Sequence, residues 1–414
     1  MESLFDKLKS LGVKIGSDFQ PIQPVKKYPV DAVMPGEWLD YSQGQFFLVN
    51  DNFPFGHQHG SHKIEKDFSF DTLLDLVKIG SRDINLNQIV FIDTETTSLS
   101  SGAGTIIFLI GLGYFTEDGF RINQYFLDNP YEELALLTYV NNEVSKYALV
   151  VSYNGSSFDL PILKSRFALH KLKSPFIELD HLDLLHLSRR VWKTRLLNCR
   201  LRDIENSVLN FYRHEEEVPG YLVPQIYFDY LHTNDARPLR GVFYHNQMDV
   251  LSLALTFSQL SKLVMTPYGM GDNESPDLLS IARLFERNRL WQESAHLYRL
   301  SLDNGLEEDL EAVALLRYGN ICKRLQHFEE AVEFWSSSFH CGSFEAGVEI
   351  AKYYEHQKRD FTSALDWVNR IVQKHDEVIS NSSGSYNKSR DELIKRKNRL
   401  EGRIKDIKVQ LNHK

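Results

Sequence analysis

Two acidic residues stand two positions apart in the stretch FIDTETTSL, where Asp93 and Glu95 follow apolar residues typical of a buried strand. Side chains at positions i and i+2 of a strand lie on the same face of a sheet, so the two carboxylates should share one edge. Carboxylates that close repel each other unless they are protonated or bind a cation, and hard divalent cations prefer oxygen ligands. The pair therefore predicts a metal site, with two solvated acids at a strand end as the alternative.

Two further aspartates lie where secondary structure would bring them to the same edge. Asp159, in VSYNGSSFDLPIL, follows a predicted strand and opens a predicted helix, where its alternative role is to cap the helix. Asp249 lies inside the long amphipathic helix predicted for RPLRGVFYHNQMDVLSLALTFSQLSKLV. The apolar face of this helix would pack onto the sheet. A carboxylate on such a helix needs a partner, and metal coordination would provide one.

Two ring side chains precede Asp249 in YHNQMD. On a helix that advances about 100° per residue, His245 lies about 40° from Asp249 and one turn earlier, whereas Tyr244 lies about 140° away. A histidine pKa of about 6.5 suits proton transfer at neutral pH better than a tyrosine pKa of about 10. His245 is therefore favoured as a general base over Tyr244, and a site in which neither ring acts as the base remains open.

Three motifs in this order, D-x-E on a strand, N-x-x-x-F-D in the middle and H-x-x-x-D on a late helix, resemble those of the DEDD exonucleases of the RNase H-like superfamily. The resemblance covers about residues 85 to 265. Together with the helical repeats that follow, the arrangement is most similar to a bacterial group of RNase H-like proteins. It implies two Mg²⁺ or Mn²⁺ ions held by Asp93, Glu95, Asp159 and Asp249. It also implies substrate contacts from Thr94, Asn154, Phe158 and Tyr244.

The ring order departs from the pattern of the superfamily, which has tyrosine four residues or histidine five residues before the last aspartate. This chain has His245 in the place of the tyrosine and Tyr244 in the place of the histidine. The resemblance still implies a 3′–5′ exonuclease that hydrolyses single-stranded DNA or RNA by a two-metal mechanism. Two alternatives share the fold: a catalytically weak or inactive nucleic-acid-binding or scaffold protein, and a structure-specific RNase H-like endonuclease.

The elements around these motifs predict an α/β RNase H-like domain over residues 85–266, with a mixed five-stranded sheet flanked by helices. Buried strands are predicted at NQIVFIDTE, TIIFLIGLGYF, RINQYFLDN and YALVVSYN, and helices alternate with strands after them. Residues 1–84 are predicted to be an irregular segment that docks on this domain. The acids of the motifs would then meet at one end of the sheet.

An all-α solenoid of tetratricopeptide-like repeats is predicted over residues 277–378. LWQESAHLY, HFEEAVEFW and DFTSALDWV each place an alanine between aromatic residues, at Ala295, Ala331 and Ala364. Residues 379–414 are predicted to be a linker and a basic terminal helix. Residues 271 to 380 carry a net charge of −8, which favours a basic or amphipathic protein segment as the partner of the repeats.

The composition indicates a soluble cytoplasmic protein of more than one domain. The 414 residues are 42% hydrophobic and 25% charged, and the three cysteines form no CxxC pair. A disulfide framework and a structural zinc site are therefore not expected. No apolar run has membrane-spanning length, and the sequence contains neither a GxxxxGK[ST] loop nor a GxSxG elbow.

A basic segment and a histidine cluster are weaker candidates for nucleic-acid-binding and metal-binding sites. Residues 164 to 202 carry a net charge of +7 within a chain of net charge −9, so this segment could hold a phosphate backbone and stack bases or could be a solvated helix face. The aromatic residues available for stacking are Phe167, Phe176 and Trp192. Three histidines in GHQHGSHKI could bind a transition metal, although a polar docking loop is favoured; they are His57, His59 and His62. Asp183 and His186 could support the acids or lie on a helix surface.

Overall fold

The structure of the protein is a computed structural model that describes residues 27–42, 44–80, 84–98, 104–213, 218–265, 274–379 and 387–412. Contacts divide the described residues into two compact units. The first unit comprises the residues up to His59 together with Ile84–Leu182 and Tyr212–Ala254. The second unit comprises the described parts of Gly60–Asp83, Asp183–Phe211 and Leu255–Lys414.

Nine strands are formed by the described residues. They are β1 (Glu37–Tyr41), β2 (Gly44–Pro54), β3 (Gln58–His59), β4 (His62–Lys63), β5 (Ile89–Thr96), β6 (Ile107–Phe115), β7 (Gly119–Phe126), β8 (Leu149–Ser152) and β9 (Asp180–Asp183). Seven of them form one sheet in the order β1-β2-β7-β6-β5-β8-β9, and β3 pairs with β4. Strand β5 is antiparallel to β6 and parallel to β8. This mixed sheet confirms the predicted fold class.

The sheet has seven strands, whereas five were predicted, because the segment expected to be irregular provides β1 and β2. Strand β2 pairs antiparallel with β7 from Phe47 opposite Phe126 to Pro54 opposite Gly119, and β1 continues the sheet beyond it. The partners are distant in sequence, so no local pattern announces the pairing. Residues 1–26 of the same segment lie outside the described residues.

Eight α-helices are described before residue 266. They are α1 (Val30–Val33), α2 (Asp71–Val77), α3 (Glu133–Val144), α4 (Asp159–Leu169), α5 (Leu184–Trp192), α6 (Leu201–Ile204), α7 (Val223–Thr233) and α8 (Leu239–Met265). Helix α4 has Pro161 in its first turn, where a helix tolerates proline because the missing N–H has no partner there. On the sheet side of α7, Tyr227 stacks on Phe108 with ring centroids 4.1 Å apart.

Helix α8 packs its apolar face onto the sheet, as its sequence pattern predicts. Its length and composition would allow it to cross a membrane, but 72% of its most apolar window is buried in the protein. Burial of this apolar window is what a core helix requires. The close approach depends on Gly111 of β6, where an added Cβ would lie 2.4 Å from Asn246 Oδ1.

Seven α-helices are described after residue 274. They are α9 (Ser275–Arg287), α10 (Trp291–Asp303), α11 (Glu308–Arg324), α12 (Phe328–His340), α13 (Phe344–Tyr353), α14 (Phe361–Ile379) and α15 (Asn387–Asn412). Each packs against the next along the chain, which confirms an all-helical region; its tetratricopeptide character stays a prediction. The predicted linker before α15 falls largely on residues 380–386, outside the described residues.

The small residue where α9 and α10 pack together is Ser294. The prediction of Ala295 for this position is wrong. Ser294, Ala331 and Ala364 are fully buried, whereas Ala295 is only half-buried. The Ser294 hydroxyl donates to the carbonyl of Ala282 at 2.9 Å. A serine can thus replace alanine at a close crossing because its hydroxyl finds a backbone partner on the facing helix.

We expect Gly319→Val to destabilise the helical region more than Gly402→Val. A Cβ at Gly319 would lie 2.6 Å from the Trp335 ring, whereas a Cβ at Gly402 meets nothing within 4 Å. Both glycines lie in helices, so the propensity change is shared and the difference in unfolding free energy, measured with urea, should be about 1–3 kcal/mol. Equal losses would mean that the crossing at Gly319 has room for a side chain.

Candidate active site

Strand β5 presents Asp93 and Glu95 on one face, as their spacing predicts. Asp93 lies opposite Gly111 of β6, and the register between the strands shifts just after Glu95. Both acids are partly buried. The shift ends regular pairing beside the acids, which is common next to active sites.

Asp159 is the first residue of α4 and is held from β5. The Thr94 hydroxyl donates to Asp159 Oδ1 at 2.5 Å, and Asp159 is 9% exposed. Thr94, predicted to contact substrate, thus also fixes the orientation of a second acid. The side chains of β5 and α4 therefore meet at one place.

Helix α8 brings His245 and Asp249 to the same place, one helical turn apart. His245 Nε2 lies 3.5 Å from Asp249 Oδ2 and 3.9 Å from Glu95 Oε1. Tyr244 is half-buried, and in the described part of the chain it makes no hydrogen bond or ion pair with these acids. The ring on the acid face is therefore His245, as the helical angle predicts.

Asn246 orients Asp93 and was missed by the sequence analysis. Its amide donates to Asp93 Oδ2 at 2.8 Å and to the Asp93 carbonyl at 3.2 Å. Its own Oδ1 accepts from Gln124 at 2.9 Å, and the residue is fully buried. Asn246 stands three residues before Asp249 on α8, so helical spacing was the signal that could have identified it.

Arg213 is the second residue that the sequence analysis missed. Its Nη2 donates to Asp249 Oδ1, and its Nη1 lies 3.1 Å from His245 Nδ1. Since a guanidinium can only donate, Nδ1 of the neutral imidazole must accept and the ring hydrogen lies on Nε2. The Arg213 side chain is only 3% exposed. No motif near residue 213 announces this contact.

The four carboxylates interact strongly. Burial, followed by repulsion from Asp249, Asp159 and Glu95, raises the pKa of Asp93 well above its ordinary value, while the Asn246 amide opposes this shift. Burial is also the main cause that raises the pKa of Glu95 to about 8. His245 and Arg213 oppose that shift, and the two aspartates add to it. The four acids therefore form one electrostatic cluster.

The donor set of this cluster fits Mg²⁺ or Mn²⁺, which prefer carboxylate oxygens. A bound divalent cation would also reduce the repulsion among the four carboxylates. Within the described ranges, no group of three or more His, Cys, Asp or Glu side chains is arranged as a metal site. Oxygens of Asp249 and Asp159 are instead hydrogen-bonded to Arg213 and Thr94.

The other two predicted substrate contacts stand next to α4. Asn154 has a left-handed backbone with φ of 62°, which asparagine tolerates. Its carbonyl accepts from the Ser157 N–H at 3.1 Å. Phe158 directly precedes Asp159 and is 46% exposed. Substrate contact by either residue stays a prediction.

The basic segment between residues 164 and 202 does not offer rings for base stacking. Its aromatic residues fill hydrophobic cores: Phe167, Phe176 and Trp192 are 0%, 6% and 1% exposed. Part of the positive charge is neutralised within the fold, since Arg166 pairs with Glu133 at 2.5 Å and Arg195 pairs with Asp277 at 2.9 Å. The stacking interpretation of this segment is therefore wrong.

The remaining candidates have separate partners. His59 Nε2 lies 2.9 Å from the Ser252 hydroxyl, His62 Nε2 lies 2.9 Å from the Val208 carbonyl, and the His57 ring packs on Phe53. Asp183 caps α5 by accepting from the Leu185 N–H at 3.1 Å, and His186 Nε2 lies 3.9 Å from Asp183. These contacts are those of structural side chains.

The metal-free protein should lose stability as the pH rises from about 4.5 to about 8. Glu95 has its ordinary pKa of 4.5 when unfolded and about 8 when folded, so in this window the folded state holds a proton that the unfolded state has lost. The expected slope is about 1.4 kcal/mol per pH unit for each such proton. Urea unfolding in a chelator at several pH values measures it.

Glu95→Gln should flatten this pH dependence because glutamine has no proton to lose. Glu117→Gln is the matched control, since Glu117 is an exposed glutamate in the turn between β6 and β7. If Glu95→Gln and Glu117→Gln keep the same slope as the unaltered protein, Glu95 does not carry the predicted proton.

Known proteins resemble this chain at the level of the domain and over most of its length. The RNase_H superfamily matches residues 90–261. An uncharacterized protein of Bacillus subtilis (strain 168), YprB, is 31% identical over 340 residues, which cover 78% of this chain and 79% of YprB.

Among solved structures, the family B DNA polymerase from the hyperthermophilic archaeon Pyrobaculum calidifontis is similar with a TM-score of 0.35 and 13% identity. The match covers 66% of this chain and 34% of the polymerase chain, so the chain spans about a third of that polymerase. The identity and coverage shared with YprB show that this chain belongs to the same family as YprB, with an RNase_H superfamily domain at residues 90–261.

Proposed function

We propose that this protein is a metal-dependent nuclease that removes nucleotides from the 3′ end of single-stranded DNA or RNA. One observation carries the proposal: carboxylates from β5, α4 and α8 meet in a single cluster beside the His245 imidazole. A cluster of buried acids opposes folding through desolvation and repulsion. It becomes useful when cations turn it into a site that attracts a phosphodiester.

Asp93, Glu95, Asp159 and Asp249 would hold two Mg²⁺ or Mn²⁺ ions. When bound, such ions supply a nucleophilic water at neutral pH and stabilise the charge of an in-line displacement at phosphorus. The Asn246 amide on Asp93 and the Thr94 hydroxyl on Asp159 fix two of the carboxylates. These oxygens are therefore oriented before substrate arrives, which lowers the cost of reaching the reactive geometry.

His245 would take the proton of the attacking water. In the proposed step, an oxygen–phosphorus bond forms from water, and the bond from phosphorus to the 3′ oxygen of the preceding nucleotide breaks. The water proton moves to Nε2 of the His245 tautomer that carries its hydrogen on Nδ1, and this Nε2 faces Glu95 and Asp249. The leaving oxygen takes a proton from solvent to become a 3′-hydroxyl. The products are a nucleoside 5′-monophosphate and a shortened chain.

The substrate end would be held beside the acids. The exposed ring of Phe158 directly precedes Asp159 and can stack on a base, an interaction that accepts any base and suits a single strand. Asn154, Thr94 and Tyr244 are the further residues that we propose to contact the terminal nucleotide. Because nucleic acid in a bacterial cell is cytoplasmic, we place the protein in the cytoplasm.

The two other functions of this fold make different predictions. A scaffold protein would bind nucleic acid without hydrolysing it, and an endonuclease would cut inside a strand. The complete set of four acids supports an enzyme over a scaffold, because a scaffold gains nothing from buried repulsion between carboxylates. The pattern of products separates an exonuclease from an endonuclease.

The helical region would recruit a protein partner. A groove of about 530 Å³ lies between the turn before α12 and the end of α13, and its rim carries Glu329 and Glu330. Glu329 is 90% exposed. Lys358 also lines the groove, with its Nζ 3.8 Å from Glu329. The two glutamates leave the rim with a net negative charge, which favours a basic or amphipathic protein segment.

We expect the protein to shorten a 5′-labelled single strand stepwise in Mn²⁺ and to leave a circular single strand intact, because an exonuclease needs an end. Asp93→Asn should abolish this activity. His245→Gln should lower kcat by about 10²- to 10⁴-fold through loss of the base. Tyr244→Phe should keep kcat close to that of the unaltered protein, so that a lost nucleotide contact raises KM alone. Gel analysis of timed reactions measures the activity of the unaltered protein and of the three variants.

Three results would contradict this scheme in different ways. Cutting of the circle would identify an endonuclease, and equal inertness of the unaltered protein and Asp93→Asn with retained binding would identify a scaffold. A large loss in Tyr244→Phe with activity retained in His245→Gln would move the base to Tyr244.

Charge reversal at the groove should weaken binding of a basic amphipathic peptide several-fold. The test variant combines Glu329→Lys with Glu330→Lys, and the control combines Asp303→Lys with Asp366→Lys, which changes the net charge equally outside the groove. Fluorescence anisotropy of the labelled peptide measures both. Equal weakening in the two variants would mean that total charge, and not the groove, attracts the peptide.

A further inference from the structure

The acid cluster contains a permanent positive charge that no motif predicted. Arg213 Nη2 donates to Asp249 Oδ1, Nη1 contacts His245 Nδ1 at 3.1 Å, and the side chain is 3% exposed. An arginine stays charged at every physiological pH. A cation held this deeply among carboxylates acts on their charge with little screening by solvent.

Both carboxylate oxygens of Asp249 face N–H donors in this arrangement. Oδ1 accepts from Arg213 Nη2, and Oδ2 lies 3.5 Å from His245 Nε2. That nitrogen carries the ring hydrogen, because Nδ1 accepts from the guanidinium. A metal ion bound to Asp249 would lie beside the same oxygens, and its charge would repel the guanidinium that Oδ1 holds, so the two cations compete for this carboxylate.

We infer that Arg213 is an internal counter-cation that competes with divalent metal ions for Asp249. The inference rests on the proposed metal-dependent function of the same site. Metal binding would displace the guanidinium by competition for Oδ1 and by repulsion between the two positive charges.

Release of Asp249 and release of His245 are the same event in this scheme. While Arg213 donates to Nδ1, the Nε2 that faces the acids carries a hydrogen and cannot accept a proton from water. Withdrawal of the guanidinium frees Nδ1, so the ring can change tautomer and expose a free Nε2. Arg213 therefore couples occupancy of the acids to readiness of the base.

The position of Arg213 in the chain suits such a displacement. Residues 211–213 belong to no helix or strand, so a shift of Arg213 would break no hydrogen bond within a helix or sheet. By contrast, Asp93, Asp159 and Asp249 are fixed to β5, α4 and α8. The cation is thus the element of the cluster that can move at least cost.

The test measures Mn²⁺ affinity of the full-length protein by electron paramagnetic resonance of free Mn²⁺, without any substrate. Arg213→Gln should bind Mn²⁺ more tightly than the unaltered protein, on the order of tenfold or more, because a competing charge has been removed. Arg213→Lys keeps the charge and should fall between the two. Arg240→Gln, an exposed arginine on α8, is the matched control and should leave the affinity unchanged.

A second measurement guards against loss of folding. In a chelator, Arg213→Gln should melt at a lower temperature than the unaltered protein, and Mn²⁺ should raise its melting temperature by a larger increment. If Arg213→Gln does not fold, Arg213→Lys still shows whether affinity rises when the two-point contact with Asp249 and His245 is weakened.

The outcomes separate the two proposals. Mn²⁺ binding that is equal or weaker in Arg213→Gln than in the unaltered protein overturns the role of Arg213 and leaves the metal site standing. Lysine and glutamine variants with the same increased affinity overturn the competition by charge. Absence of Mn²⁺ binding in every variant overturns the proposed metal-dependent function and the inference with it.

Discussion

Burial of four carboxylates at one end of a sheet is the constraint on which the rest of the first unit depends. Each added negative charge raises the free energy of ionising the others, and removal from water adds to that cost. The fold meets the constraint with an amide from Asn246, a hydroxyl from Thr94 and a guanidinium from Arg213. The pKa values of Asp93 and Glu95 are still raised, mainly by burial, so both acids resist ionisation in the folded protein.

The acids stand on strand β5 and on helices α4 and α8, whereas Arg213 lies outside any helix or strand. Strand β5 is paired on both sides, and α8 is held against β6 by the space that Gly111 leaves for Asn246. Asn246 in turn is held by Gln124 of β7. A chain of buried hydrogen bonds therefore runs from β7 through α8 to Asp93, and such fully paired networks fix side-chain orientation. The position of the Asp93 carboxylate is therefore tied to packing in the core of the domain.

Local periodicity explains which site residues the sequence could predict. Asp93 and Glu95 follow the two-residue repeat of a strand, and His245 and Asp249 follow the turn of a helix, so one short segment determines each pair. Arg213 and the partners of Asn246 come from distant segments, and no local repeat encodes them. The same limit hid β2, whose pairing partner β7 lies far along the chain, and with it β1, which pairs with β2. At the first repeat, Ala295 was the expected small residue. Ser294 occupies the close helix contact instead, because its hydroxyl donates to the Ala282 carbonyl.

The energetic cost of the cluster also bears on whether the fold is used for catalysis or only as a platform. Neutral side chains of the same shape at Asp93 and Glu95 would remove repulsion and desolvation and would stabilise the metal-free fold. A purely structural domain has no physical reason to maintain these charges, to orient one of them through Asn246 and to neutralise another with a buried arginine. A domain that must bind cations has a reason for all three, because affinity requires ionisable oxygens while stability between binding events requires a counter-charge that can leave.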